Sequence, residues 1–396
     1  MVNKTVNGWK SKSLDELGFV GRGKSRHRPR DAAHLYGGQY PFIQTGDVKH
    51  SNLYVNKYSQ TYSEAGLAQS KLWKSGTLCI TIAANIADTA ILGIDACFPD
   101  SVIGFVPDEK KADVKFVKYL FNTLQSRYQQ YSQGAAQDNL SQKKLLSLKF
   151  IVPKLSIQEK IAQTLSNYDD LIENNLRRIA LLEKSARLLY EEWFVRLRFP
   201  GHEHVKVKDG VPEGWSFKTI GDLANVTMGQ SPPSEFYNED GQGLPFHQGV
   251  TNFGQRFVSH SKYCSVQKRI AESGDLLCSV RAPVGRLNLT FDKIIIGRGL
   301  AALRSKMDSQ SFLLYQMKNH FFKEDIIGAG SIFASVTKKD LLSQRILSPY
   351  VELIEMFQNF SIPADDQIRI LFIQNQNLKQ ARDLLLPKLM NGEIAV

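Results

Sequence analysis

Ser75-Gly-Thr-Leu-Cys79 and Ser273-Gly-Asp-Leu-Leu-Cys278 are one turn-and-strand phrase written twice, and reading them as a repeat decides the fold. The echo extends outward from them in order. Upstream, Gly8-Trp9 with Leu14-Asp-Glu-Leu17 answers to Gly214-Trp215 with Ile220-Gly-Asp-Leu223. Pro41-Phe-Ile-Gln44 likewise answers to Pro245-Phe-His-Gln248. Downstream, Gly134 to Leu140 with Lys143-Lys-Leu-Leu146 answers to Gly330 to Val336 with Lys339-Asp-Leu-Leu342. The copies close on Pro153 and Pro349, and the offset drifts from 206 through 204 and 198 to 196. Short loop insertions between two copies of one domain produce such a drift. A chain duplicated at this scale presents two similar surfaces to two similar things.

After the first copy the texture changes. Ile157, Ile161, Leu165, Tyr168, Ile172, Leu176, Ile179, Leu182, Ala186, Leu189 and Trp193 recur at steps of three and four, one stripe on one helix. No Gly or Pro interrupts the run between Leu155 and Phe199, and Ser156 stands at capping-box spacing before Glu159. About 40 residues at ~1.5 Å each give a rod of roughly 60 Å, a length that suits a two-stranded coiled coil. Near the C-terminus Ile368, Leu371 or Phe372, Asn375, Leu378, Arg382, Leu385 and Leu389 repeat the spacing, until Asn391-Gly392 stops the helix. Pro363 places the start of this second helix near Asp365 and makes it the shorter one. Asn174 or Asn175, and Asn375, fall on or beside the stripes, where a buried asparagine fixes register and a surface one does not.

The expected architecture is α+β. Two similar mixed α/β domains, 1–153 and 199–349, are held apart by two long antiparallel helices, 154–198 and 350–396, which form a coiled coil about a pseudo-twofold repeat. Two separate helical hairpins are the alternative. Within each block, strand-like runs (Thr77–Ile82, Ala90–Ile94, Lys293–Ile296) alternate with turns, and helices are predicted over Val114–Tyr131 and Ser309–Phe322.

The net charge of +11 is unevenly placed. The two repeated blocks carry +8 and +4, the segments after them +1 and −2. Two basic blocks on neutral spacers point to two contacts with a polyanion, although a generic basic surface gives the same numbers. No apolar run reaches the ~18–20 residues of a membrane span. The N-terminus lacks the apolar core of a signal peptide, so a cytoplasmic location is expected. Cys79, Cys97, Cys264 and Cys278 lack Cys-x-x-Cys spacing and read as buried free thiols.

Catalytic signatures are missing. Ser231-Pro-Pro-Ser234 lacks the leading Asp or Asn and the following aromatic of an adenine-methylation motif. Gly21-Arg-Gly-Lys24 lacks P-loop spacing, and Gly297-Arg-Gly299 lacks the third glycine of a dinucleotide fingerprint. The eight histidines form no metal spacing. By elimination the chain binds and does not catalyse.

The ordered motifs carry a resemblance. Gly8-Trp9 and Gly214-Trp215, Met228-Gly-Gln-Ser-Pro232 and Ser273-Gly-Asp-Leu-Leu-Cys-Ser-Val-Arg-Ala-Pro-Val-Gly285 are among them. So are Ile296-Gly-Arg-Gly-Leu300, Val152-Pro-Lys-Leu-Ser-Ile-Gln-Glu-Lys-Ile-Ala162 with Tyr168-Asp-Asp-Leu-Ile-Glu-Asn174, and Ala381-Arg-Asp-Leu-Leu-Leu-Pro-Lys-Leu-Met-Asn-Gly-Glu-Ile394. Together they make the whole chain similar to the specificity subunit of Type I restriction-modification systems. The second junction, Ser348-Pro-Tyr-Val-Glu-Leu-Ile-Glu355, departs from the Gln-Glu wording of the first.

The resemblance implies a non-catalytic subunit that reads a bipartite, asymmetric site on double-stranded DNA. Its long helices would dock two methylation subunits, with Ile161, Leu165, Ile172, Leu176, Ile368, Leu378 and Leu385 as the expected partner-binding residues. Restriction subunits would join the complex. S-adenosylmethionine, ATP and magnesium would sit on those partners, with no cofactor or metal on this chain. In the first block the expected DNA contacts are Arg22, Lys24, Arg26, Arg28, Gln44, Asn85, Gln137, Asn139 and Lys143. In the second they are Gln230, Gln248, Arg281, Arg286, Arg298, Ser331, Lys338 and Lys339. Arg281 or Arg298 could instead pair internally with Asp275 or Asp292. Two other classes stay open: a coiled-coil scaffold without DNA, which salt-insensitive partner binding would favour, and the specificity part of a self-sufficient methyltransferase-nuclease, which S-adenosylmethionine binding would favour.

Overall fold

The computed structural model describes residues 8–82, 87–131, 141–323 and 335–396. Each copy is closed by its own first and last strands. Lys10–Lys12, just after Gly8-Trp9, pairs antiparallel with Phe150–Val152, just before Pro153. Ser216–Thr219 pairs antiparallel with Arg345–Ser348 in the same way before Pro349.

Inside each seam lie four antiparallel strands in one order. In the first copy they are Gly18–Arg22, Val102–Pro107, Leu78–Thr81 and Thr89–Leu92. In the second they are Ala224–Met228, Leu300–Ser305, Leu276–Ser279 and Leu287–Leu289. The Leu78–Thr81 and Leu276–Ser279 strands are buried along their whole length, hence the three consecutive apolar residues that open each. The turns before them hold Gly76 at φ +87° and Gly274 at φ +86°, where a Cβ is strained, so both copies spell Ser-Gly there. A second sheet in each copy contains a parallel pairing, Phe42 opposite Cys97 and Phe246 opposite Ile295. Hydroxyl caps recur as well. Ser141 opens Gln142–Ser147 and Thr337 opens Lys338–Ser343, each accepting from the backbone N–H three residues on. The predicted helices are present as Val114–Tyr131 and Gln310–Lys323, and all four cysteines are free and buried.

The first long helix, Leu155–Tyr190, continues through a π-helical turn over Glu191–Val195, in which Arg196 N–H reaches Glu191 O at 2.8 Å. It begins one residue before Ser156, so that serine lies in the first turn and does not cap it. Buried Gln158 ties the helix start instead, donating to Pro153 O (2.9 Å) and Lys111 O (3.1 Å). The second long helix departs further from expectation. It runs unbroken over Val351–Met390, passes through Pro363 and, at 40 residues, is about as long as the first rather than shorter. An interior proline costs about 3 kcal/mol. Here Leu353, Ile354, Phe357, Ser361, Ala364, Ile368 and Leu371 form a continuous buried stripe on both sides of it, which offsets that cost. Asn391-Gly392 ends the helix as expected.

The chain forms two compact units, Met1–Arg177 with Leu371–Val396, and Arg178–Ile370. In the first, the long helices run antiparallel with Asn175 Nδ2 donating to Asn375 Oδ1 at 3.0 Å, both side chains buried. Asn375 is thus the register-fixing residue and Asn175, not exposed Asn174, is its partner. Below this pair, Asp169 accepts from Tyr119 Oη at 2.5 Å and from Arg382. In the second unit the helices are again antiparallel, with Tyr190 packed edge-on to Phe357 at 5.9 Å. There Asp365 accepts from Arg256 and from Ser311 Oγ, while Arg256 also reaches Glu183 at 3.1 Å. No helix among the described residues is long and apolar enough to cross a membrane.

Candidate nucleic-acid interface

The basic run of the first copy leaves the edge strand Gly18–Arg22 as a built loop. Lys24 N–H donates to Phe98 O at 3.1 Å, and Gln69 Oε1 accepts from the N–H groups of Arg26 and His27 at 2.5 and 3.0 Å. Arg22 donates to Asp100 O, Arg30 forks onto the Asp100 carboxylate at 3.0 Å, and Arg28 folds back onto the carbonyls of Ser25 and His27. All four expected cations are exposed. Arg22 and Arg28 are anchored, whereas Lys24 and Arg26 form no ion pair among the described residues and are the ones open to a phosphate. Sequence reading missed Lys71 beside them, whose ammonium lies 3.7 Å from the Trp73 ring centre and 4.8 Å from that of exposed Phe19. Burial, reinforced by Lys24, pushes its pKa down. No local spacing marks Lys71, because its ring partners are assembled by the sheet.

Gln44 is half-buried, and its side-chain amide donates to Gln60 Oε1 at 2.5 Å. Lys143 is exposed at the start of Gln142–Ser147, and Lys338 and Lys339 are exposed at the start of Lys338–Ser343. Lysines there oppose the helix dipole, typically at a few tenths of a kcal/mol each, so they serve something other than helix stability. Asn85, Gln137, Asn139 and Ser331 lie outside the described residues.

In the second copy the fold gathers Gln230, Gln248 and Arg298. Ser231 Oγ donates to Gln248 Oε1 (2.7 Å) and accepts from Arg298 N–H (3.2 Å), Gln230 N–H donates to Ile296 O (2.9 Å), and Gly299 N–H to Gln248 O (3.1 Å). Gln248 and Arg298 border a 620 Å³ cleft whose wall includes Tyr237 and Phe246, stacked at 4.5 Å. Asn252 and Lys262 also line it and carried no sequence signal. His247 lines the same cleft, its Nε2 lying 2.9 Å from His260 Nδ1, while His260 Nε2 lies 2.9 Å from Asp292 Oδ2. Burial, aided by His260, pushes the His247 pKa down to about 4.

Arg281 and Arg286 are exposed on the turn that joins Leu276–Ser279 to Leu287–Leu289, where Val280 N–H donates to Gly299 O at 2.9 Å. The internal pairing considered for Arg281 and Arg298 does not form. Asp275 binds Arg304 at 2.6 Å, and Asp292 binds His260. Among the described residues no cluster of His, Cys, Asp and Glu could hold a metal ion.

The residues expected to meet a partner on the long helices are turned inward. Ile161, Leu165, Ile172 and Ile368 are buried, and Leu176, Leu378 and Leu385 are half-buried. The outer faces hold the exposed apolar residues: Leu171, Ile373 and Leu384 in the first unit, and Leu181, Leu188, Met356, Phe360, Ile362 and Ile370 in the second.

Comparison with known proteins places this geometry. The sequence profile described as Type I restriction modification DNA specificity domain matches residues 7–184 and 212–353. A Methanocaldococcus jannaschii chain provisionally named the type I restriction enzyme MjaX specificity subunit is 30% identical over 73% of this chain and 70% of its own length. The type I restriction enzyme MjaIX specificity subunit of the same organism is 25% identical over 100% of this chain and 95% of its own. The solved S subunit of a Type-I restriction-modification system from M. genitalium superposes with a TM-score of 0.61 at 19% identity, over 98% of this chain and 97% of that one. This last likeness concerns the fold.

Proposed function

Because the chain belongs to the family of Type I restriction modification DNA specificity domains, we propose that it reads a bipartite, asymmetric DNA site, one half per copy. It is a specificity subunit, the non-catalytic part of its enzyme. The observation that carries the proposal is the contrast between shared frame and unshared surface. Both copies have the same seam, strand order and caps. Their exposed loops differ: a basic run with a lysine on aromatic rings in the first, an amide and arginine cleft in the second. A common scaffold with unlike loops suits two unlike half-sites.

Lys24, Arg26, Lys143, Lys338 and Lys339 contact phosphates and supply salt-dependent affinity. Gln230, Gln248 and Arg298 read base edges, since amide and guanidinium groups match the donors and acceptors of adenine and guanine. Blocks 1–153 and 199–349 act as the target-recognition domains, 154–198 and 350–396 as spacers. With both on one face of the duplex, the half-sites lie about 10 bp apart, centre to centre.

Two methylation subunits dock on the outer faces of the long helices, where the exposed leucines, isoleucines and Phe360 offer apolar surface. S-adenosylmethionine, ATP and magnesium belong to the methylation and restriction subunits, and the complex works in the cytoplasm. Methylation mapping in a host carrying this chain and its methylation subunit tests the reading. Adenine methylation appears at one bipartite motif, disappears without the chain, and changes in one half when residues 1–150 are replaced. Unchanged methylation with intact partner expression would overturn it.

A further inference from the structure

Lys118 occupies, on the helix Val114–Tyr131, the place that Leu314 fills in the second copy. Phe116 and Phe312, Tyr119 and Tyr315, and Asp169 and Asp365 set that alignment, each pair 196 residues apart. Lys118 is 5% exposed and Leu314 2%. The first copy therefore holds a buried ammonium where the same frame accepts leucine, and a buried charge is costly unless it is compensated.

Compensation within the chain is incomplete. Lys118 Nζ lies 3.5 Å from Asn122 Oδ1 and 5.4 Å from the Tyr119 ring centre, and Lys118 forms no ion pair among the described residues. The nearby Asp169 is already engaged, Oδ2 by Tyr119 and Oδ1 by Arg382. Burial pulls the Lys118 pKa down to about 8, with Asp169 opposing that pull and Arg382 adding to it.

Lys118 borders a cavity of 710 Å³ inside the first unit. Two more cations, Lys49 and Arg382, line it, together with the amides of Asn52, Asn122 and Gln125. Its two carboxylates are paired within the lining, Asp383 with Arg382 at 2.8 Å and Asp88 with Gln125, which leaves Lys118 without a carboxylate of its own there.

We propose that this cavity binds a small oxyanion, a phosphate group, with the Lys118 ammonium as its principal partner. The volume exceeds what a bare phosphate needs and admits either the rest of a phosphorylated molecule or a backbone phosphate of DNA. The site does not depend on how the loops read bases.

Calorimetric titration of the full chain with inorganic phosphate, against chloride at matched ionic strength, tests it on the unaltered protein, Lys118→Leu and Lys118→Arg. The unaltered protein and the arginine variant bind phosphate saturably. The leucine variant binds at least about tenfold more weakly, the loss of one charge-assisted hydrogen bond, and melts higher than the unaltered protein in chloride. A short duplex that displaces phosphate identifies the DNA backbone as the source, and one that binds alongside it identifies a free phosphate compound; both outcomes uphold the site. Absence of saturable binding to the unaltered protein, or equal binding by a cooperatively melting leucine variant, overturns it.

Discussion

Asp169 and Asp365 occupy equivalent places on the two long helices, yet each copy fastens to its aspartate differently. In the first unit the arginine that neutralises Asp169 is Arg382, on the other long helix, and the globular block contributes, among the described residues, the Tyr119 hydroxyl. In the second unit the arginine comes from the block itself. Arg256 is 4% exposed and spans Asp365, Glu183 and the Tyr315 hydroxyl. Burial acts against the Arg256 charge, but Asp365, Tyr315 and Glu183 outweigh it and hold the guanidinium protonated; burial and Asp365 push Tyr315 up to about 12. One frame can therefore be anchored by a neutral hydroxyl or by a buried ion cluster. The cluster is the less forgiving of the two.

Removing Arg256 should show the difference most strongly. Arg256→Ala leaves Asp365 without its cation and Glu183 with Lys318 alone, and is expected to destabilise the second unit by about 3–5 kcal/mol. Arg382→Ala, at a side chain 20% exposed with Tyr119 still bound to Asp169, should cost about half as much. Equal losses in urea unfolding would erase the contrast.

The next effect is acid sensitivity, centred on His247, whose counterpart in the first copy is apolar Ile43. Its folded pKa of about 4 lies below the ordinary 6.5, so between these values the unfolded chain binds the extra proton. Stability is thus full above pH 6.5 and falls as the pH drops toward 4, by up to about 3 kcal/mol at 1.36 kcal/mol per pKa unit. Thermal melts across that window should show the second unit weakening, and His247→Ile should flatten the profile.

Within the first unit, Asn175→Ala strands the buried Asn375 Oδ1 and should cost about 1–3 kcal/mol. Replacing both asparagines with leucine should recover most of that stability while loosening helix register, which a double-mutant cycle and amide exchange would resolve. The smallest effects belong to the DNA surface. Lys24→Ala or Arg26→Ala should each lower the slope of log affinity against log salt by about 1, whereas Arg22→Ala, tethered to Asp100, should do less. An equal drop for all three would mean that the tether releases on binding.

How legible this was in the sequence depended on range. The stripe from Ile157 to Trp193 gave the first long helix because helical period is a local property, and Asn375 stood out as an uncharged polar residue on the second stripe. Pro363 misled for the same reason. A proline's cost is visible locally, but the burial of Phe357, Ser361, Ala364 and Ile368 that offsets it is tertiary. Strand positions followed from the repeat, because the turn glycines at 76 and 274 mark them twice. Arg256 was invisible, since its partners Glu183 and Asp365 lie 73 and 109 residues away. Among the expected DNA contacts, exposure was legible from polarity, whereas tethering was not. Asp100 holds Arg22 and Arg30 from across the sheet, and nothing near Lys24 announces that it and Arg26 form no ion pair among the described residues.

The seam of each copy has one more consequence. Lys10 lies opposite Val152 and Ser216 opposite Ser348, so the chain leaves each block beside the point where it came in, about one strand spacing (~4.8 Å) away. A block attached in this way behaves like a plug whose two pins are adjacent. Whatever lies beyond the pins can grow, shrink or be inherited from another lineage, and the socket has only two short strands to match.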